Sequence, residues 1–115
     1  MNALALTPLE QFILTEFLRE YPEAALPSRI SARVVSRQNT GAGRFTELLT
    51  DPVRLSDGWH GLSGGFTMEG LRFGLTAAVH VTGSRIDTLD IAVIGDDRWD
   101  GVERPWTRDG VEGAS

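Results

Sequence analysis

Apolar positions near the start of the chain recur at helical spacing. Leu9, Phe12, Ile13, Phe17 and Tyr21 form one stripe, while Glu10, Glu16, Arg19 and Glu20 take other faces. Thr7-Pro8-Leu9-Glu10 marks the start. It offers a hydroxyl N-cap, proline at the first helical position, and a glutamate three residues after the cap to close a capping box. Tyr21-Pro22 ends the helix, because the residue before a proline is pushed out of helical geometry. The pattern predicts an amphipathic helix whose stripe faces the core.

After a proline-containing connector the period changes to two. From Arg29 to Gln38, Ile30, Ala32 and Val34 alternate with Arg29, Ser31 and Arg33, and Arg37 continues the basic side. This predicts a half-buried strand with a basic outer face. Asn39-Thr40-Gly41-Ala42-Gly43 reads as a turn, Arg44 to Thr50 as a returning strand, and Asp51-Pro52 as its end.

The strongest alternation runs from Leu71 through Phe73, Leu75, Ala77 and Val79 to Val81. A hairpin at Gly83-Ser84, of the type with glycine first, sets Val81 opposite Ile86 and Phe73 opposite Ile94. A turn at Glu69-Gly70 sets Met68 against Leu71, Phe66 against Phe73, and Leu62 against Ala77. Both turns place bulky apolar residues on one face, which predicts a three-strand meander over about residues 60–94. One conflict stands out: strict register turns Thr88 and Asp90 inward, although Leu89, Ile91 and Val93 are the core-like residues. A bulge near Thr88 switches the phase and removes the conflict. The other face of the long strand carries Arg72, Gly74, Thr76, Ala78, His80 and Thr82, a platform of small and polar residues that a second chain or a ligand can cover. From Gly95 onward periodicity is lost, leaving an acidic segment with Trp99 and Trp106 as its anchors.

Composition narrows the class. The 115 residues, 41% apolar and 23% charged, suit one domain with a single core. No apolar run reaches the length of a membrane span. The absence of cysteine excludes disulfides, thiol catalysis and Cys-ligated metals. The net charge of −5 argues against a nucleic-acid binder. All eleven basic residues are arginine, which a GC-rich genome accounts for. Met1 to Leu6 carry no basic leader, and Pro8 with Glu10 cut the apolar run short of a signal peptide; the expected compartment is the bacterial cytoplasm.

Candidate chemistry is sparse. His80 faces Asp87 across the predicted hairpin. That pair is half of a general-base arrangement, and equally a cross-strand polar pair that steadies a sheet. No nucleophile motif accompanies it. His60 sits opposite Val79, so it diverges from His80, and no metal motif is present. Thr40-Gly41-Ala42-Gly43, beside Arg37 and Arg44, can hold an anion on its backbone amides or simply need glycine for its turn. Arg29, Arg33 and Arg37, spaced about 13 Å apart along a strand, make the best nucleic-acid face, but no aromatic residue interleaves with them. Trp99 and Trp106 serve either as interface anchors or as closures of the core.

Two segments resemble those of a family of short uncharacterised bacterial proteins. Ser36-Arg37-Gln38-Asn39-Thr40-Gly41-Ala42-Gly43-Arg44-Phe45-Thr46 is similar to the family's S-R-x-x-T-G-x-G stretch followed by two aromatics and a threonine, with Arg44 in place of one aromatic. Ile86-Asp87-Thr88-Leu89-Asp90 with Asp97-Arg98-Trp99 is similar to its I-D-x-L-E-G segment and later acidic-x-W, with Asp90 for glutamate and Ile91 for glycine. Asp57-Gly58-Trp59-His60 matches its G-D-x-H segment more loosely. The resemblance implies a compact bacterial domain and no particular chemistry; its matching positions are Arg37, Thr40, Gly41, Gly43, His60, Asp87 and Asp90.

The expected fold is α+β: an N-terminal helix on an antiparallel, twisted sheet of about five strands, with residues 1–94 as the domain and 95–115 as an irregular Trp-bearing, acidic segment. The expected function is a non-enzymatic protein-binding module, with a protein or a second copy of itself as partner, and no membrane, metal or cofactor. Binding candidates are Arg37, Thr40, Gly41, Gly43, Trp99 and Trp106. The alternative is a small hydrolase or isomerase using His80 and Asp87, and the weaker one is anion or nucleic-acid binding along the Arg29, Arg33 and Arg37 face.

Overall fold

A computed structural model describes residues 5–22 and 32–108. Helix α1 (Pro8–Glu20) precedes strands β1 (Ala32–Asn39), β2 (Gly43–Thr50), β3 (Gly58–Gly61), β4 (Phe66–Met68), β5 (Leu71–Thr82), β6 (Arg85–Val93) and β7 (Trp106–Arg108). The fold is α+β, with seven strands instead of about five. They form one antiparallel sheet in the order β1-β2-β6-β5-β4-β7, and β3 lies beside β5 on the same edge as β4.

The helix begins as the sequence requires. The Thr7 hydroxyl accepts the Glu10 N–H, and the Glu10 carboxylate accepts the Thr7 N–H. Leu9, Ile13, Leu14 and Phe17 are buried against Leu75, Val79, Ile86, Leu89 and Ile91 of the sheet. Each such side chain withdrawn from water contributes roughly 1.5–3 kcal/mol. The helix differs from expectation in its charges: Glu10 and Glu16, assigned to other faces, are fully buried, because arginines from the sheet reach them.

The meander forms as predicted at its hairpin end. Val81 pairs with Ile86, and the Leu62 N–H donates to the Ala77 carbonyl. The bulge is present, with Asp87 as the extra residue: His80 pairs with Thr88 while Val81 pairs with Ile86. It turns Leu89 and Ile91 into the core and Asp90 outward. Two details differ. Gly83 and Ser84 both have positive φ (58° and 64°), which makes the turn type I′. At the far end of β5, Gly74 (φ 78°) comes so close to β4 that a Cβ would lie 1.9 Å from the Phe66 carbonyl oxygen. That irregularity pairs Phe66 with Leu75 and sends Phe73 into solvent.

A second bulge overturns the basic strand face. Val34 pairs with Leu48 and Ser36 with Glu47, so Val35 is extra and the phase flips. Arg33 stays outside, whereas Arg37 joins the core side opposite buried Thr46. Arg29 lies outside the described residues. Residues 95–108 are not simply irregular: β7 pairs with β4, and Trp99 and Trp106 are buried in the core. These tryptophans close the core and are not exposed anchors.

Candidate functional site

The glycine turn expected to bind an anion is employed within the fold. The Thr40 N–H donates to the Gly43 carbonyl at 3.0 Å, and the Thr40 hydroxyl accepts the Ala42 N–H at 3.3 Å. Gly41 (φ 81°) accepts the Trp99 N–H at 2.9 Å through its carbonyl. At Gly43 the adjacent strand comes so near that a Cβ would sit 2.1 Å from the Ile91 carbonyl oxygen. The arginines expected to assist are turned away from the turn. Arg37 donates to both carboxylate oxygens of Glu10. Arg44 donates to Glu103 at 2.5 Å and lies over the Trp99 ring, with its guanidinium carbon 4.9 Å from the centroid. Burial would raise the Glu10 carboxyl. The Arg37 guanidinium, the Thr7 N–H and the Thr46 hydroxyl outweigh it and hold the group below its ordinary range.

The other end of the helix repeats this arrangement. Arg108 of β7 donates to Glu16 at 2.7 Å and also to Glu20 and the Ser63 carbonyl. Its guanidinium lies beside the Phe66 ring. These two buried acid–arginine clusters clamp the helix to the sheet and to the segment after β6.

The His80–Asp87 pair lies on the sheet face away from the helix. His80 Nδ1 is 3.0 Å from Asp87 Oδ1, and the Thr82 hydroxyl donates to Asp87 Oδ2 at 2.7 Å. The bulge makes this meeting, since the extra residue leans toward His80. Partial desolvation would raise the Asp87 carboxyl, but the hydrogen bonds from Thr82 and His80 hold it lower than usual. Trp59 of β3 stands edge-on to His80, ring centroids 4.9 Å apart. His60 turns to the opposite face, against Tyr21 and the Ser56 carbonyl, as the register predicts. Among the described residues no three His, Cys, Asp or Glu side chains gather as a metal site.

Around this pair the face is small or polar at its centre and aromatic at its margins. Thr76, Ala78 and Asp90 are half-buried, whereas Phe45 (42% exposed), Leu49 (51%) and Trp59 (55%) project into solvent. Phe45 pairs with Asp90, which pairs with Ala78; Trp59 pairs with His80. Burial pushes the Asp90 carboxyl up. Sequence reasoning missed Phe45 and Trp59 as surface features. The signal was present in β2, where Phe45 alternates out of step with Arg44, Thr46 and Leu48, but an inward phenylalanine is the ordinary assumption.

A cleft of about 420 Å³ lies elsewhere, bounded by Gly41, Gly70, Leu71, Arg98 and Trp99. It contains neither His80 nor Asp87. Among the described residues no helix is long and apolar enough to cross a membrane. No family model, curated protein or solved structure matches the chain.

Proposed function

We propose that this chain is a non-enzymatic protein-binding module of the bacterial cytoplasm whose contact surface is the uncovered sheet face. The observation that carries this reading is the exposure of Phe45, Leu49 and Trp59 around a floor of small residues. Aromatic side chains bury large area for little lost rotamer freedom and are enriched at binding hot spots. A sheet with one face packed and one face bearing solvated aromatics has an unfilled half.

A hydrolase or isomerase using His80 as base is the second reading, supported by the 3.0 Å contact to Asp87. It is the weaker of the two. The pair sits on an open strand surface outside the cleft, and Asp87 is shared with Thr82, as in a cross-strand polar clamp. Binding of nucleic acid along β1 loses its support with Arg37 committed to Glu10.

Light scattering across a concentration series tests the reading, on the natural chain and on a Phe45→Asp, Trp59→Asp double variant. Both positions are exposed, and far-UV circular dichroism checks that the variant keeps its fold. A dimer lost in the variant places a second copy on this face. A dimer that survives moves the interface elsewhere and defeats the proposal. A monomer at every concentration removes self-association and leaves a different protein, sought by photo-crosslinking from position 45. Ester or amide hydrolysis that disappears with His80→Gln would transfer the case to the enzyme.

A further inference from the structure

The cleft beside the glycine turn unites two turns of the chain with the segment between β6 and β7. One wall is the turn after β1, at Gly41; the other is the turn before β5, at Gly70, with Leu71 following. Arg98, Trp99, Asp100 and Arg104 complete it from the segment between β6 and β7. A volume of about 420 Å³ falls within the range of small-molecule sites.

Its charges are unequal. Asp100 is fully used: Oδ1 accepts from the Val102 N–H at 3.0 Å and from Arg104 at 2.9 Å, and Oδ2 accepts from Arg104 at 2.8 Å. Hydrogen bonding to Arg104 holds this carboxyl far below its ordinary range, so the pair is a closed ionic unit. Arg98 differs. Arg72 pairs with Asp97 and Arg104 with Asp100, whereas Arg98 has no ion-pair partner among the described residues. Its guanidinium lies across Gly41, where a Cβ would be 2.8 Å from Nη2. Gly41, at φ 81°, is required by the turn, and the arginine end lies close over it. The cleft therefore presents one planar, five-donor cation, without an ion-pair partner among the described residues, beside the apolar side chain of Leu71.

We propose that this cleft binds a small organic anion, a carboxylate or a phosphate ester, whose charged group pairs with the Arg98 guanidinium and whose carbon framework rests on Leu71 beside the Gly41 turn. The site is independent of the protein-binding face and is tested separately from it.

The test is an NMR titration of the full-length, 15N-labelled chain with phenyl phosphate and, separately, with benzoate, against sodium chloride at matched ionic strength. Arginine side-chain Nε–H signals are followed with the amides. The expected result is saturable movement of the Gly41, Leu71 and Trp99 amides and of the Arg98 Nε–H with at least one probe. Response to phenyl phosphate alone assigns the phosphate class, and to benzoate alone the carboxylate class. Arg98→Gln should weaken binding about tenfold or more, the loss of one charge-assisted contact. Arg72→Gln, an exposed arginine outside the cleft, should leave it unchanged. The proposal is overturned if neither probe gives saturable shifts, if sodium chloride reproduces them, or if Arg98→Gln binds as the natural chain does.

Discussion

Arg37 and Glu10 are joined by two hydrogen bonds across 27 residues of chain, Nε to Oε2 at 2.8 Å and Nη2 to Oε1 at 2.7 Å. A lone carboxylate in so buried a place would be costly. This one is fully engaged: the Thr7 N–H and the Thr46 hydroxyl supply its other hydrogen bonds, and Arg44 Nε lies 3.6 Å away. Beside it, Glu103 accepts the free Leu9 N–H in the first helical turn and pairs with Arg44. The start of the helix is therefore held at once by the edge hairpin and by the segment after β6.

Removing the carboxylate should be severe. Glu10→Ala leaves Arg37 facing a buried space without its counter-ion and Arg44 with Glu103 alone, and a loss of about 3–5 kcal/mol is expected from urea unfolding. Arg37→Gln should cost less, since Arg37 is partly exposed and water can replace it. The acid limb of stability carries the same signature. Because the folded chain holds Glu10 below the ordinary 4.5, its contribution is complete above that pH and decays as pH falls through the folded value. Unfolding midpoints between pH 7 and pH 3 should fall less steeply in Glu10→Gln than in the natural chain; identical slopes would contradict this assignment.

Asp90 should behave with the opposite sign. Burial on the uncovered face raises its carboxyl above the ordinary 3.8, so ionising it costs stability as pH rises through the folded value. Asp90→Asn is expected to be more stable than the natural chain at pH 7, by less than about 1 kcal/mol for a partly solvated group. The difference should vanish near pH 3. A destabilised Asp90→Asn at neutral pH would show that the carboxylate has a partner.

The fold class, the capping box and the hairpin end of the meander were legible because each is a local pattern: Thr7 with Glu10, Val81 opposite Ile86, Leu89 and Ile91 demanding a bulge. What was not legible depends on single inserted residues or distant pairing. The bulge at Val35 leaves no mark in sequence, yet it moves Arg37 from the outer face to Glu10. The burial of Glu10 and Glu16 was hidden because their partners, Arg37 and Arg108, lie 27 and 92 residues away. Of the binding candidates, Thr40, Gly41 and Gly43 form a turn whose hydrogen bonds and close strand approach are used within the fold. The exposed Phe45 and Trp59 were missed because alternation alone does not say which face of a sheet stays open.

The glycines of the two hairpins should separate sharply on substitution. Gly43→Ala forces a methyl against the Ile91 carbonyl, a backbone atom that cannot move without breaking β2 from β6. A cost at or beyond the roughly 1–3 kcal/mol of an overpacked core is expected. Gly83 has open space around its Cβ direction, and its φ of 58° suits asparagine. Gly83→Asn should change the thermal midpoint little, while Gly43→Ala should lower it by several degrees.

Trp99 and Trp106 offer the finest discrimination. Both are buried, yet only Trp99 satisfies its ring N–H, donating to the Val102 carbonyl at 2.8 Å. Trp106 Nε1 is buried without a partner among the described residues. Replacement by phenylalanine removes comparable ring volume at each site, but at Trp99 it also removes the ring's hydrogen bond to the Val102 carbonyl, which keeps the longer bond from the Arg104 N–H at 3.2 Å, while at Trp106 it relieves an unpaired donor. Trp99→Phe should therefore be the more destabilising by about 1 kcal/mol in chemical unfolding. Arg44 stacks on the Trp99 ring, which adds to that side of the difference. A chain ending at Ile94 is the extreme case: it loses both tryptophans together with Glu103 and Arg108, leaving Arg44 and Glu16 buried without these partners. It should lose its near-UV circular dichroism and its cooperative transition. A sharp transition in that shortened chain would mean that residues 95–108 rest on a complete core instead of forming part of it.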